Sequence, residues 1–174
     1  MKKIILVFIL LVFTGCETTN SETSASSAGE WLMAGSSNKG KKFVIGDDKN
    51  VDLVMKFMKA YENMDAQTMV DIAADTVKFH PGDIAGVFDV DMTNTDFINE
   101  RQSNWDSINR SYNYILPTKL EDSNWGIVDA AFREDRFVKD GTVESDYFFE
   151  RFIINNDGEI VRVVQWSRPV DIVN

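Results

Sequence analysis

Apolar residues recur at helical spacing over the stretch DDKNVDLVMKFMKAYENM, which begins at Asp47. Residues three and four apart share one face of a helix. The stretch therefore predicts a long helix whose broad buried face consists of two neighbouring stripes, Val51, Val54, Met55, Met58 and Tyr61, and Leu53, Phe57 and Met64. Asp65 is the predicted N-cap of a short second helix, AQTMVDIAA, because its carboxylate can accept bonds from free N–H groups there.

The next segment predicts a β-hairpin and a third helix. TVKFH is typical of a strand, Pro81 and Gly82 turn the chain, and IAGVFDV is predicted to return as the second strand. A third helix is predicted from Thr93 or Thr95 to about Arg110. Its apolar positions are Phe97, Ile98, Trp105 and Ile108.

After this helix the apolar period changes to that of strands. Four runs rich in aromatic and β-branched residues follow: SYNYILPTKL, WGIVDAAFREDRF, SDYFFERFII and EIVRVVQWS. Asp140-Gly141 and Asp157-Gly158 predict tight hairpins between the last three, since Gly tolerates positive φ. The sequence therefore predicts an α+β fold, in which a cone-shaped, curved antiparallel sheet packs against three helices and a pocket lies on its hollow side.

The N-terminus has the pattern of a secretory signal. Lys2 and Lys3 precede an apolar run of about ten residues, too short for a helix that would need about twenty to cross a bilayer. The small residues Thr14 and Gly15 directly before Cys16 resemble the lipobox of bacterial lipoproteins, although Phe13 departs from its usual aliphatic residue. The resemblance implies that residues 1–15 are removed and that Cys16 is acylated, which would anchor the protein to a membrane of the cell envelope, facing the periplasm or the exterior. The alternative is an ordinary signal peptide with a chance cysteine.

Residues 16–46 are rich in Ser, Thr and Gly and predict a tether, because they carry too little apolar surface to offset chain entropy. The tripeptide Trp31, Leu32 and Met33 either packs onto the folded domain or belongs to an exposed linker. Loss of residues 1–15 would leave 16 basic and 28 acidic residues. This charge argues against nucleic acid as a partner and against attachment to anionic lipid by charge.

Residues 47–174 form one predicted domain. The segments FMKAYENMDAQTMVDIAADTVKFHPGD and FIINNDGEIVRVVQW resemble the nuclear transport factor 2-like superfamily and its SnoaL-like branch. The superfamily includes isomerases, dehydratases, polyketide cyclases and many members that only bind, so the resemblance implies a fold and leaves the activity open. Comparison with its ketosteroid isomerases implies that His80 and Glu150 occupy positions of proton-transfer residues. Phe57 stands where those enzymes have a tyrosine hydroxyl, so steroid isomerisation itself is not expected.

The residue types alone also single out His80 and Glu150. His80 is the only imidazole, with a pKa ordinarily near neutrality, and Glu150 alternates with Phe148, Phe152 and Ile154 on an apolar face. One interpretation makes them an acid–base pair. The other makes His80 a turn residue and Glu150 a structural carboxylate paired with Arg133 or Arg136. The predicted ligand-binding residues are Phe57, Tyr61, Trp105, Phe148 and Phe152.

Other chemistry is sparse in the sequence. No cofactor motif is present, and with one histidine and a cysteine predicted to be acylated, no metal site is predicted. DVDMTNTDFINE has carboxylates at spacings like those of a calcium loop, but Asn94 replaces the required glycine and Phe97 a usual ligand. The number of aromatic residues in the strands suggests an apolar outer face and a homodimer.

Two functions follow as hypotheses. The first is a lipid-anchored domain whose aromatic pocket binds a small apolar or amphipathic molecule, with His80 and Glu150 as polar anchors. The alternative is a proton-transfer enzyme of the isomerase, dehydratase or cyclase type that uses His80 and Glu150.

Overall fold

The computed structural model of the chain describes residues 27–82 and 84–170, which form three helices and one sheet. The helices are α1 (Asp48–Glu62), α2 (Ala66–Asp71) and α3 (Asp96–Gln102). The strands are β1 (Gly29–Glu30), β2 (Lys42–Ile45), β3 (Ala73–His80), β4 (Phe88–Asp91), β5 (Trp105–Leu120), β6 (Gly126–Val138), β7 (Val143–Ile154) and β8 (Ile160–Pro169). Their order in the sheet is β1-β2-β5-β6-β7-β8-β3-β4.

The first two helices form where the apolar spacing and the capping residue place them. On α1, Val54, Phe57 and Met58 are buried, and the helix contacts β5 and β6. Asp65 caps α2, since its carboxylate accepts bonds from the backbone N–H of Thr68 at 3.0 Å and from the Thr68 hydroxyl at 2.6 Å. Both predicted helices are therefore present, but α2 ends at Asp71, and Ala73 and Ala74, which were predicted to belong to it, lie in β3.

Strands β5 to β8 form the predicted antiparallel meander. Gly141 and Gly158 lie in the two predicted hairpins with φ of 90° and 82°, values that favour glycine. Side chains that alternate towards the helices form the core with α1, and among them are Val128, Phe132 and Phe152. The predicted α+β architecture is confirmed, although β3 and β8 are parallel neighbours in an otherwise antiparallel sheet.

The predicted third helix is too long. Helix α3 ends at Gln102, and Trp105 and Ile108 belong to β5, which pairs with β6 from Trp105 onward. The buried residues Ile108 and Arg110 alternate here with exposed polar neighbours, so the period is that of a strand. As part of β5, these residues form backbone hydrogen bonds with β6.

The hairpin after β3 is shorter than predicted. The returning strand β4 covers only Phe88–Asp91, whereas Ile84 and Val87 are about half exposed and lie in a bend. Gly86 in this bend has a φ of 130°, which interrupts the extended backbone.

The described part of the predicted tether joins the sheet. Strand β2 pairs with the end of β5, and β1 pairs with β2, so this segment is an edge hairpin and not a free linker. The Trp31 ring lies 6.0 Å from that of Phe43, which pairs with Leu120, while Leu32 and Met33 are exposed. The predicted signal peptide and Cys16 lie outside the described residues.

The face of the sheet that points away from the helices carries several aromatic side chains. Tyr114, Ala131, Phe149 and Trp166 occupy one row across four strands, and the Phe149 and Trp166 rings lie 5.4 Å apart. Tyr114 and Trp166 are about half exposed. The homodimer remains a prediction.

Candidate functional site

A small cavity lies between the helices and the inner face of the sheet. Its volume is about 90 Å³, and much of its wall is apolar. Its apolar lining includes Phe57, Met58, Phe79, Met92, Phe97 and Phe152. A dry apolar cavity of about 150 Å³ holds benzene, so a ligand of six or more carbon atoms enters this space only when the flexible methionines of its wall move.

One end of this cavity is polar. Inward-facing positions of four adjacent strands meet there, since a strand sends alternate side chains to one face. These positions contribute Arg110 from β5, Glu134 and Arg136 from β6, Glu150 from β7 and Gln165 from β8. Tyr61 from α1 and Arg101 from α3 complete this end.

The Glu134 carboxylate joins two of these arginines. Its Oε2 accepts a bond from Arg110 Nε at 2.6 Å, and its Oε1 accepts one from Arg136 Nε at 2.5 Å. The side chains of Glu134 and Arg110 are 2% and 5% exposed, so this ion pair is buried. The Glu134 carboxylate therefore bridges two guanidinium groups, and Asp146 and Glu144 lie 3.7 and 3.8 Å from Arg136.

Aromatic rings hold Arg110 in place. Its guanidinium carbon lies 4.7 Å from the centre of the Tyr61 ring and 4.5 Å from that of Phe132. Burial alone would lower the pKa of Arg110, but the Glu134 carboxylate raises it, so the guanidinium stays charged. Burial and the same carboxylate raise the pKa of the Tyr61 hydroxyl to about 12, which keeps this hydroxyl neutral.

Glu150 has a different environment from Glu134. It is buried, its Oε1 accepts a bond from Gln165 Nε2 at 2.7 Å, and it forms no ion pair with any described residue. Burial raises the pKa of its carboxyl above the ordinary value, and the Arg110 charge offsets this only in part. The cavity therefore contains a carboxyl group that gives up its proton less readily than an ordinary glutamate.

This raised pKa predicts how stability depends on pH. As pH rises above the ordinary pKa of 4.5, the unfolded chain ionises at Glu150 while the folded chain retains the proton. The folded state therefore loses stability until the pH passes the folded pKa. Glu150→Gln stays neutral and can accept the Gln165 bond, so we expect it to match the wild type near pH 4 and to become the more stable protein at neutral pH. Urea unfolding from pH 4 to pH 8 measures the difference.

Glu100→Gln provides the control for this experiment, because Glu100 is exposed on α3. Its stability relative to the wild type should hardly change with pH. If instead the stability of the wild type increases relative to that of Glu150→Gln as pH rises, Glu150 is ionised and stabilised by the arginines.

Four of the predicted site residues line the cavity: Phe57, Tyr61, Glu150 and Phe152. Phe148 is buried next to it, where its ring stacks on that of Phe132 at 5.5 Å. Trp105 lines a separate cleft and lies 4.9 Å from the Arg136 guanidinium. Arg133, a predicted partner for Glu150, instead binds Asp135.

The structure does not bring His80 and Glu150 together. In the parallel pairing of β3 with β8, Phe79 is opposite Val163 and His80 is opposite Val164. Phe79 and Val163 line the cavity, so strand alternation places His80 on the other face of the sheet. Its Nε2 atom is buried without a hydrogen-bond partner among the described residues. His80 is therefore not among the residues that line the cavity with Glu150.

Sequence reasoning missed the cluster formed by Arg101, Arg110, Glu134 and Gln165. Placing Arg110 in a helix hid the strand alternation that directs it inward. The signal was available in Ile108, Arg110 and Tyr112, which alternate with Asn109 and Ser111.

No protein-family model matches this sequence, and no curated protein matches it either. Solved structures do share its fold. The epoxide hydrolase/cyclase-like enzyme SalBIII, which has a role in pyran ring formation in polyether salinomycin, is 10% identical, with a TM-score of 0.57 over 70% of this chain and 92% of its own. An LEH-like epoxide hydrolase from M. tuberculosis is 12% identical, with a TM-score of 0.54 over 70% of this chain and 84% of its own.

A protein from Shewanella denitrificans assigned as a SnoaL-like polyketide cyclase has the same fold. It is 9% identical, with a TM-score of 0.52 over 68% of this chain and 90% of its own. These similarities define the class of fold: the chain has the nuclear transport factor 2-like fold. Within residues 27–82 and 84–170, no helix is both long and apolar enough to cross a membrane.

Proposed function

We propose that this protein binds a small apolar or amphipathic molecule in the cavity between its helices and its sheet. The observation that carries the proposal is the combination of an aromatic and methionine-rich wall with a polar end. Ligand sites are commonly apolar, with a few polar groups that orient the ligand. Here Glu150, Gln165 and the Tyr61 hydroxyl are the groups able to orient a neutral polar atom of the ligand.

We further propose that acylation of Cys16 anchors the protein to a membrane of the cell envelope. The support is the sequence alone: a short apolar segment, small residues, and the only cysteine of the chain directly behind them. The domain would then meet its ligand at a membrane surface, where amphipathic molecules are abundant.

A proton-transfer enzyme is the second candidate. One observation favours it: Glu150 is a buried carboxyl with a raised pKa, a property common among acids in active sites. The similar folds named for a cyclase and epoxide hydrolases are compatible with it. However, His80 lies on the other face, and both oxygens of the Glu134 carboxylate already accept bonds from guanidinium groups. A partner for Glu150 in proton transfer is lacking among the described cavity residues, so binding is the better-supported function.

Val163→Phe tests the binding proposal. Val163 is buried in the cavity wall, and a larger side chain there takes up space needed by a ligand. We expect the wild type to bind 1-hexanol saturably and Val163→Phe to bind it at least about tenfold more weakly, because filling two methylene positions removes about 1.6 kcal/mol of apolar burial. Isothermal titration calorimetry on the full-length chain gives both affinities.

Val164→Phe is the matched control. Val164 neighbours Val163 on β8 but faces the other side of the sheet, opposite His80. It should bind 1-hexanol as the wild type does. Far-UV circular dichroism checks that both variants are folded, since overpacking destabilises a core by about 1 to 3 kcal/mol. Equal affinities in folded Val163→Phe and wild type would place the hexanol elsewhere, and no saturable binding by the wild type would refute the proposed function.

A further inference from the structure

A charged cleft adjoins the apolar cavity. It lies between the end of α3 and the β6–β7 hairpin and has a volume of about 570 Å³. Its polar lining includes Arg101, Asn104, Arg136, Lys139 and Glu144. Arg101 and Arg136 line the apolar cavity as well, so these two side chains form a common wall between the spaces.

Two of the cations in the cleft have no partner among the described residues. Arg101 and Lys139 form no side-chain hydrogen bond and no ion pair with any of them. The acidic side chains nearby are partly engaged, since Asp140 accepts bonds from Thr142 and Glu144 lies 3.8 Å from Arg136. A cleft with two unpaired cations stands out in a chain whose formal net charge is −10.

These cations have the chemistry of an anion site. A guanidinium group presents a planar fork of N–H donors that matches a carboxylate, and a lysine adds a positive charge with three donors. Trp105 stacks on Arg136 and helps to fix the common wall. Because Asp140 and Glu144 also line the cleft, a singly charged group fits its charge better than a polyanion.

We propose that the apolar cavity and the charged cleft form one site, and that its ligand is an amphipathic monocarboxylic acid. The apolar part of the ligand occupies the cavity, and its carboxylate lies in the cleft, bound by Arg101 and Lys139. This inference rests on the proposed function and specifies the class of the ligand. It also assigns a role to Arg101, which the proposed binding of neutral apolar molecules does not need.

The test compares hexanoate with 1-hexanol, which have the same carbon chain and differ in charge. Calorimetric titration of the full-length chain near pH 7 and at low salt should give hexanoate at least about tenfold higher affinity than 1-hexanol, because hydrogen bonds between charged groups are about twice as strong as neutral ones. Arg101→Gln should weaken hexanoate about tenfold and 1-hexanol much less, because only hexanoate carries a charge for this side chain to bind. Lys139→Gln, in the β6–β7 hairpin, should also weaken hexanoate more than 1-hexanol, but by less than Arg101→Gln does.

Arg162→Gln is the matched control, because Arg162 is exposed on the opposite face and the substitution removes the same charge. It should bind both compounds as the wild type does. If 1-hexanol binds but hexanoate binds no more tightly, or if Arg101→Gln weakens both compounds equally, the anion site is refuted while the cavity proposal stands. An equal loss of hexanoate affinity in Arg162→Gln would refute it too, since net charge would then be the cause. If neither compound binds to the wild type, the proposed function itself fails.

Discussion

Glu134→Gln will lower the free energy of unfolding by about 3 to 5 kcal/mol, the usual cost of removing one partner from a buried ion pair. The Glu134 carboxylate accepts bonds from both Arg110 and Arg136, and both guanidinium groups remain charged because this carboxylate raises their pKa values. In the variant the two cations face each other with a neutral amide between them. The amide NH₂ also points a donor towards a donor, so one side chain loses its hydrogen bond.

Glu144→Gln is the matched control for this prediction. It makes the same chemical change beside the same Arg136, but Glu144 is exposed and 3.8 Å away. An exposed pair contributes about 0 to 1 kcal/mol, so this variant should be close to the wild type. Chemical denaturation of the three proteins decides the question. If the free energies of unfolding of Glu134→Gln and Glu144→Gln differ by less than about 1 kcal/mol, Glu134 does not hold the arginines together.

Under the proposed lipid anchor, we expect Cys16→Ser to abolish acylation and to release the mature chain from the membrane. The sulfur of Cys16 is the atom that would carry the lipid. Acyl chains stabilise membrane attachment by about 0.8 kcal/mol for each buried CH₂ group. The acidic composition offers no electrostatic substitute for this attachment. Incorporation of an alkyne-tagged fatty acid, read on the protein after fractionation of the cells, measures the effect.

Ser21→Ala is the control for the cysteine variant, because Ser21 lies in the same segment and carries no expected lipid. It should incorporate the label as the wild type does. A wild type without label, or a Cys16→Ser variant that retains it, would refute the lipid anchor.

Local sequence signals were enough to predict much of this fold. The spacing of Val54, Phe57 and Met58 predicts the buried face of α1, and Gly141 and Gly158 predict the hairpins of the meander. These features depend on residues close in sequence. The parallel pairing of β3 with β8 does not, since it joins segments separated by most of the domain.

The site was harder to predict, and His80 shows why. Val77 and Phe79 are apolar and alternate with Lys78 and His80, so the period of β3 already indicated that His80 faces away from the core. The comparison with ketosteroid isomerases led to the opposite interpretation. A shared fold defines strand positions, but an offset of one residue moves a side chain to the other face.

The polar end of the cavity depends on the register of four strands. Arg110 is opposite Glu134, and Glu150 is opposite Gln165, and neither pairing follows from local sequence. Glu150 was predictable because its own strand places it among phenylalanines. That Glu150 forms no ion pair within residues 27–82 and 84–170 could not be predicted, because it depends on the bond from Arg136 to Glu134.

Mass spectrometry of molecules extracted from the purified full-length protein tests the central claim most directly. The cavity account predicts that organic extraction of the wild type releases a small apolar or amphipathic molecule in near-stoichiometric amount. Val163→Phe should release far less of it, because the added ring occupies the cavity, while Val164→Phe should release as much as the wild type. Extracts that are identical for the wild type and a folded Val163→Phe protein would contradict the account.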